Sequence, residues 1–293
     1  MRTVATPQRI RTRARSYNRP VDARPVGVFD SGMGGLTVLH ECLVTMPHED
    51  FIYIGDGARL PYGPRPAAEI RRFAGEIATF LEEQGVKLIV AACNSATAAA
   101  LPELQERLSV PIVGVITPEA HAAVQATRNR RLGLMATEAT VASGRYEALV
   151  RTLDAGARLT AVACPELVPL IESDDPFSSE TVDAVRRYAA QLKDADVDTV
   201  ILGCTHYPLI RPIFQRVFGR DVTLVFSAEE TAREVAETLA RKGIEHGSGR
   251  EGSYRFATTG DAEQFRVMGA RFLQLPIGEV DHIPLTDLER VAA

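Results

Sequence analysis

The chain has 293 residues, of which 45% are hydrophobic and 24% charged, with a formal net charge of −5. That length holds two domains of ordinary size, each with its own core, and the composition is ordinary for a soluble globular protein. No run of about 18 apolar residues occurs, which excludes a transmembrane helix, and the negative balance argues against nucleic acid or an anionic membrane as the main partner.

Residues 1–24 differ from the rest: seven arginines stand against one acid, Asp22, with almost no apolar pattern. The segment lacks the apolar core of a secretory signal and predicts a disordered extension, an organelle transit peptide being the alternative. Beyond it the remaining 26 basic and 37 acidic residues give a net charge of −11. From Pro25 onward, short β-rich runs alternate with helical patterns. Strands are predicted at 26–30, 51–55, 88–92, 112–116, 132–136, 159–163, 199–202 and 222–226. Between them lie apolar faces at helical spacing, such as Leu36, Leu39, Leu43 and Met46, or Ile70, Phe73, Ile77 and Phe80. This alternation predicts an α/β fold of parallel strands covered by helices on both sides.

Residues 131–137 echo residues 25–31, and the strand before Cys204 echoes the strand before Cys93, which predicts two similar halves. The expected division is a first α/β domain over 25–116 plus about 222–275, a second over 117–221, and a tail over 276–293. The runs 254–258 and 265–275 fit no obvious place in this scheme.

Ligands of doubly wound sheets bind outside the C-terminal ends of the strands, so the polar residues at those ends carry the functional information. The first is Asp30-Ser31-Gly32-Met33-Gly34-Gly35-Leu36. A glycine turn between strand and helix can aim N–H groups at an anion, and a carboxylate-sized one is expected. A dinucleotide fingerprint fits less well, because Thr37 occupies the place of its third glycine; a purely structural turn is the other alternative. Next, Gly55-Asp56-Gly57-Ala58-Arg59-Leu60-Pro61-Tyr62-Gly63 reads equally as turn chemistry and as a substrate-lining loop with Asp56 as a second carboxylate.

Cys93 and Cys204 each end an almost wholly apolar run and are followed at once by polar residues: Asn94-Ser95 in one case, Thr205-His206 in the other. A helix opening beside Cys93, near Thr97, would favour its thiolate and lower its pKa. Buried packing is the alternative for both thiols; Cys204 with His206 also suits a thiol hydrolase or, with no second ligand pair, a poor metal site. Cys42 reads as packing, Cys164 as structural, and Glu172 as a possible pocket acid. The four cysteines lack disulfide-like spacing, which suits a reducing compartment and predicts a cytoplasmic protein.

Two matched thiols in two similar halves suit a reaction with mirror-related half-steps. In racemisation at a carbon next to a carboxylate, one thiolate removes the α-proton and the other thiol returns a proton to the opposite face. Asp30 and His206 are unlike candidates for tuning the two sides, and Ser31, Asn94, Ser95 and Thr205 for holding the carboxylate as charge builds beside it.

Four ordered motifs, Asp30–Val38, Arg59–Gly63, Ala92–Ala96 and Leu202–Pro208, resemble those of the glutamate racemases, and the resemblance runs from about residue 25 to about 242. It implies two flavodoxin-like parallel-sheet domains with the active site between them, and a cofactor-independent enzyme without metal that makes D-glutamate for bacterial peptidoglycan. It also implies that Cys93 acts on D-glutamate and Cys204 on L-glutamate. Asp30, Ser31, Tyr62, Gly63, Asn94, Ser95, Thr205 and His206 match substrate-contacting or supporting positions, and Asp56 and Glu172 match pocket acids. A homodimer is expected because the family often forms one. Related substrates, aspartate or a hydantoin, are the nearest alternatives. Ser95 stands for a common Thr, Gly57 for a frequent Thr, and Phe226 for a frequent Asp; the Arg-rich leader lies outside the family pattern.

Overall fold

A computed structural model describes residues 22–292. The Arg-rich segment 1–21, expected to be disordered, lies outside the described residues. The chain runs β1 (Val26–Asp30), α1 (Leu36–Thr45), β2 (Phe51–Gly55), α2 (Ala67–Glu83), β3 (Leu88–Ala91), α3 (Asn94–Arg107) and β4 (Ile112–Gly114). It continues through α4 (Ile116–Ala126), β5 (Arg131–Ala136), α5 (Glu138–Ala142), α6 (Arg145–Leu153), β6 (Arg158–Ala163), α7 (Leu167–Glu172), α8 (Ser179–Asp194), β7 (Thr199–Gly203), α9 (Arg211–Phe218) and β8 (Thr223–Phe226). It closes with α10 (Ser227–Lys242), β9 (Tyr254–Thr258), α11 (Ala262–Leu273), β10 (Val280–His282) and α12 (Leu285–Ala292). No described helix is long and apolar enough to cross a membrane.

The strands form two all-parallel sheets, β10-β9-β2-β1-β3-β4 and β6-β5-β7-β8. The central strands are apolar on both faces because helices cover both; every residue of β1, β3 and β7 is buried. Each fully buried Val, Leu or Ile there contributes about 1.5–3 kcal/mol of transfer free energy. The order β2-β1-β3-β4 in the first sheet repeats as β6-β5-β7-β8 in the second. In each half the order reverses beside the first strand, between β1 and β3 and between β5 and β7. Those reversals open a crevice at the C-terminal strand ends, where ligands of such sheets sit. Asp30 ends β1, Cys93 follows β3 and Cys204 follows β7.

Three expectations need correction. The second half does not end near residue 222: β8 pairs along β7, with Thr199 opposite Thr223 and Leu202 opposite Phe226. It is the counterpart of β4, and the chain returns to the first half only with α10, which packs on α1. Residues 276–293 are not a separate tail. Through residue 292, β10 pairs with β9, α12 packs on α2, and Leu288 is fully buried. The runs that resisted placement are β9, which extends the first sheet beyond β2, and α11. Nor does each half keep its own core: one apolar cluster runs from Val28, Leu36 and Tyr53 through Val235 on α10 to Leu134, Ile201 and Phe214. A second covers the other face of the first sheet, under α2, α3 and α12.

Candidate active site

A cavity of about 210 Å³ lies where the two halves meet, lined by residues that follow strands of both. From the first half come Ser31, Leu60–Pro64, Cys93, Asn94 and Ser95; from the second come Thr137, Cys164, Cys204, Thr205 and His206. Of the expected site residues, Ser31, Tyr62, Gly63, Cys93, Asn94, Ser95, Cys204, Thr205 and His206 therefore meet in one wall. Asp30, Asp56 and Glu172 do not line it; they stand behind it, bonded to residues that do.

Cys93 is the N-cap of α3, which begins at Asn94 instead of near Thr97. The Ala96 N–H donates to Cys93 Sγ at 3.5 Å, and the thiol donates to Ser31 Oγ at 3.8 Å. The helix N-terminus does not lower this pKa as expected. Burial, followed by the nearby charge of Asp30, pushes the Cys93 thiol up to about 12, outweighing the bonds from Ala96 and Ser31. The sulfur is held as a thiol because a buried anion beside a carboxylate costs more than a helix terminus returns.

Cys204 has different neighbours. Its Sγ lies 3.7 Å from His206 Nδ1, and His206 Nε2 lies 2.9 Å from Glu172 Oε1 at the end of α7. Burial alone would lower the His206 pKa; the bonds to Cys204 and Glu172 overcome it and hold the imidazole well above its ordinary 6.5. Phe272 of α11 packs edge-on against the ring at 5.2 Å, so the C-terminal part of the chain also supports the site.

The glycine turn serves a different purpose from the expected anion cradle. Only Ser31 of that turn reaches the cavity, and the Gly32 N–H donates to Asp30 Oδ2 at 2.9 Å. A Cβ on Gly34 would fall 2.5 Å from His206 Cε1 and from Thr205 Oγ1. The turn is bare so that the loop carrying Cys204 can lie against it. Thr37, the residue that broke the dinucleotide pattern, donates to the Thr205 carbonyl at 2.9 Å, and Thr205 Oγ1 reaches Asp30 Oδ1 at 3.5 Å.

The 55–63 loop is held from behind. Tyr62 donates its hydroxyl to Asp56, which also accepts from Arg59 Nε and Thr259 Oγ1, each at 2.7 Å. Gly63 joins the halves directly, its carbonyl accepting from Ala139 N at 2.9 Å. Ser95 Oγ and Thr137 Oγ1 are 2.8 Å apart across the same junction.

Thr137 was missed, although a signal existed: in the echo between residues 25–31 and 131–137 it is the counterpart of Ser31. Cys164, expected to be structural, is a wall residue, fully buried, with its thiol donating to the Val162 carbonyl at 3.4 Å. Glu119 and Tyr146, buried behind Asn94, had no visible signal, since each is a single polar residue on a helix. No group of three or more His, Cys, Asp or Glu suited to a metal occurs among the described residues.

Two repeated parallel sheets that each present a thiol to one small cavity define an α/β enzyme whose site is shared between its halves. Residues 38–235 match the Asp/Glu/Hydantoin racemase family, and the chain belongs to that family: it is a racemase, hence an isomerase. It is 44% identical over 261 residues to a glutamate racemase of Lactiplantibacillus plantarum, covering 89% of this chain and 96% of that one. A solved glutamate racemase isoform of Bacillus anthracis is 40% identical, with a TM-score of 0.87 over 90% of this chain and 98% of that one. A second, from Francisella tularensis in complex with D-glutamate, is 32% identical, with a TM-score of 0.84 over 90% and 99%.

Proposed function

We propose that the protein interconverts L- and D-glutamate by a two-thiol acid/base mechanism. The observation that carries the reading is that Cys93 and Cys204 follow equivalent strands of a repeated fold and face one cavity, with unlike helpers. In the L-to-D direction Cys204 takes the α-proton: the Cα–H bond breaks, an S–H bond forms, and the electron pair stays on Cα, delocalised into the carboxylate. Cys93 then gives its proton to the other face of that carbon, its S–H bond breaking as the new Cα–H bond forms. In the D-to-L direction the roles exchange. Exchange of both sulfurs with solvent resets the site.

The helpers suit these roles. Beside Cys204 stands the His206 imidazole that Glu172 holds charged, placed to exchange a proton with that sulfur, while burial and Asp30 keep Cys93 loaded with a proton. Ser31, Asn94, Ser95 and Thr205 supply polar groups in the wall to hold the substrate and the charge developing at its carboxylate. Tyr62 and Gly63 close that wall, backed by Asp56. A Cys–His–Glu arrangement alone would equally fit a thiol hydrolase; the second thiol has no part in that chemistry. The relatives support glutamate over aspartate or a hydantoin, and the resemblance supports a homodimer and a role in supplying D-glutamate for peptidoglycan. Four free cysteines support a cytoplasmic setting.

The test is incubation with L-glutamate in D₂O, following optical rotation and α-deuterium. Racemic product labelled at Cα is expected. Exchange with aspartate but not glutamate would overturn the substrate, and absence of α-exchange in any amino acid would overturn the reaction.

A further inference from the structure

Behind the cavity wall lies a closed polar triangle made from three elements. Asn94, the first residue of α3, donates through Nδ2 to Glu119 Oε2 at 2.9 Å and to the Tyr146 hydroxyl at 2.8 Å; the Tyr146 hydroxyl in turn donates to Glu119 Oε2. Glu119 is on α4 and Tyr146 on α6, and all three side chains are buried. The Tyr146 hydroxyl also abuts the strand end that carries the other thiol: a Cβ on Gly203 would meet it at 3.2 Å. One hydroxyl thus bonds to the residue after Cys93 and occupies the space that a side chain on the residue before Cys204 would need. Asn94 Oδ1 has no partner among the described residues although Asn94 lines the cavity, so the triangle holds the amide by its nitrogen and leaves its oxygen uncommitted.

A buried carboxyl that pairs with no cation is costly unless it is hydrogen-bonded, and the bonds Glu119 accepts come from Asn94 and Tyr146. We propose that Glu119 and Tyr146 are positioning residues for the proton transfers, forming a brace that ties Asn94 to the segment before Cys204 and so sets the separation of the two thiols. The inference rests on the two-thiol reading. Thiols acting on opposite faces of one carbon must both stay within transfer distance of it, and a displacement of about 1 Å from a remote change can cost about 10²-fold in rate. The two halves meet along this line, so the brace crosses the junction that would otherwise decide that separation. Burial pushes the Glu119 pKa up to about 8 against the bonds from Tyr146, Asn94 and Ser227. Gln, whose carbonyl oxygen can accept the bonds of Asn94 and Tyr146, is its conservative replacement, and Ala is not.

The experiment measures kcat and KM in both directions for the wild type, Glu119→Ala, Glu119→Gln and Tyr146→Phe, with Tm as a control. Glu119→Ala and Tyr146→Phe are expected to lower kcat about 10-fold or more in both directions with KM changed less than about threefold, while Glu119→Gln stays within about threefold of the wild type. Tyr146→Phe keeps the ring and decides the matter if Glu119→Ala does not fold. A second readout needs no turnover: the rate at which a short bifunctional thiol reagent links Cys93 to Cys204, read by mass, is expected to fall severalfold in Tyr146→Phe. Unchanged kcat and linking in Tyr146→Phe, or a Glu119→Gln enzyme as impaired as Glu119→Ala, would overturn the brace. A wild type that leaves the α-proton of glutamate unexchanged overturns the racemase reading instead, and the linking rates then judge the brace alone.

Discussion

Cys93 and Cys204 occupy the same place in two copies of one topology, yet their surroundings share little. Cys93 caps a helix, donates to a serine and feels the charge of Asp30. Cys204 sits beside an imidazole that a glutamate holds charged. The repeat places two sulfurs at one cavity, and the residues around each sulfur differ. A symmetric scaffold thereby gives its two thiols unlike surroundings, which suits the proposed reaction, whose first step needs one base and one acid at once.

Removing either thiol is the most severe way to break this pairing. Cys93→Ala and Cys204→Ala should each reduce turnover by about 10²–10⁴-fold in both directions, since a missing acid in one direction is a missing base in the other. Steady-state rates from L- and from D-glutamate check it. A variant that keeps near-normal turnover in either direction would show that only one sulfur takes part.

Gly34→Ala probes whether the two sides must touch. The added methyl would sit 2.5 Å from His206 Cε1 and Thr205 Oγ1, so the Cys204 loop must retreat. Overpacking of this kind costs about 1–3 kcal/mol of stability, and kcat should fall more than about 10-fold because the displaced atoms adjoin a reacting sulfur. A thermal melt together with kcat separates the two effects; unchanged kcat would mean that the loop's position is not critical.

The His206–Glu172 pair sharpens the comparison through pH. Its raised pKa means that folded protein binds the imidazolium proton more tightly than the unfolded chain, in which histidine titrates near about 6.5. The stabilisation is complete below that value and is lost as pH rises through the higher folded-state pKa. Glu172→Gln weakens the hold on the proton, so the fall of Tm between about pH 6 and 9 should be shallower than in the wild type. Parallel Tm profiles would show that Glu172 does not keep His206 charged.

The strand ends were legible because their residues announce themselves twice: an apolar run that stops at Cys, Asp or Ser, and a matching run about one domain away. All eight predicted strands exist, and Ser31, Cys93 and Cys204 beyond their ends line one cavity. What stayed hidden depends on contacts between distant segments. Nothing local distinguishes a glycine that cradles an anion from Gly34, which is bare to admit His206. Nor could the Cys93 pKa be read from its helix, because the opposing effects, burial and Asp30, come from packing. The runs 254–258 and 265–275 resisted placement for a related reason: β9 and β10 extend the sheet on the far side of β2, a position that the two-fold repeat does not supply.

Cys164 sets the lower end of the scale. It is a third thiol in the same wall, at the end of β6, the strand equivalent to β2, so position alone does not separate it from the other two. Its neighbours do. Burial pushes its thiol up to about 12, its hydrogen bond goes to the Val162 carbonyl, and Pro165 follows it in place of a polar residue. A sulfur so held fills space, and the ionisable side chain bonded to it is the Tyr207 phenol, not an imidazole. Cys164→Ala should therefore cost about 1–2 kcal/mol of stability for the lost packing. Its kcat should stay within about threefold of the wild type, in contrast to the about 10²-fold or larger loss expected at Cys93 and Cys204. Loss of kcat comparable to theirs would mean that the matched pair is not what makes a thiol in this cavity reactive, and the role of the repeat would have to be abandoned.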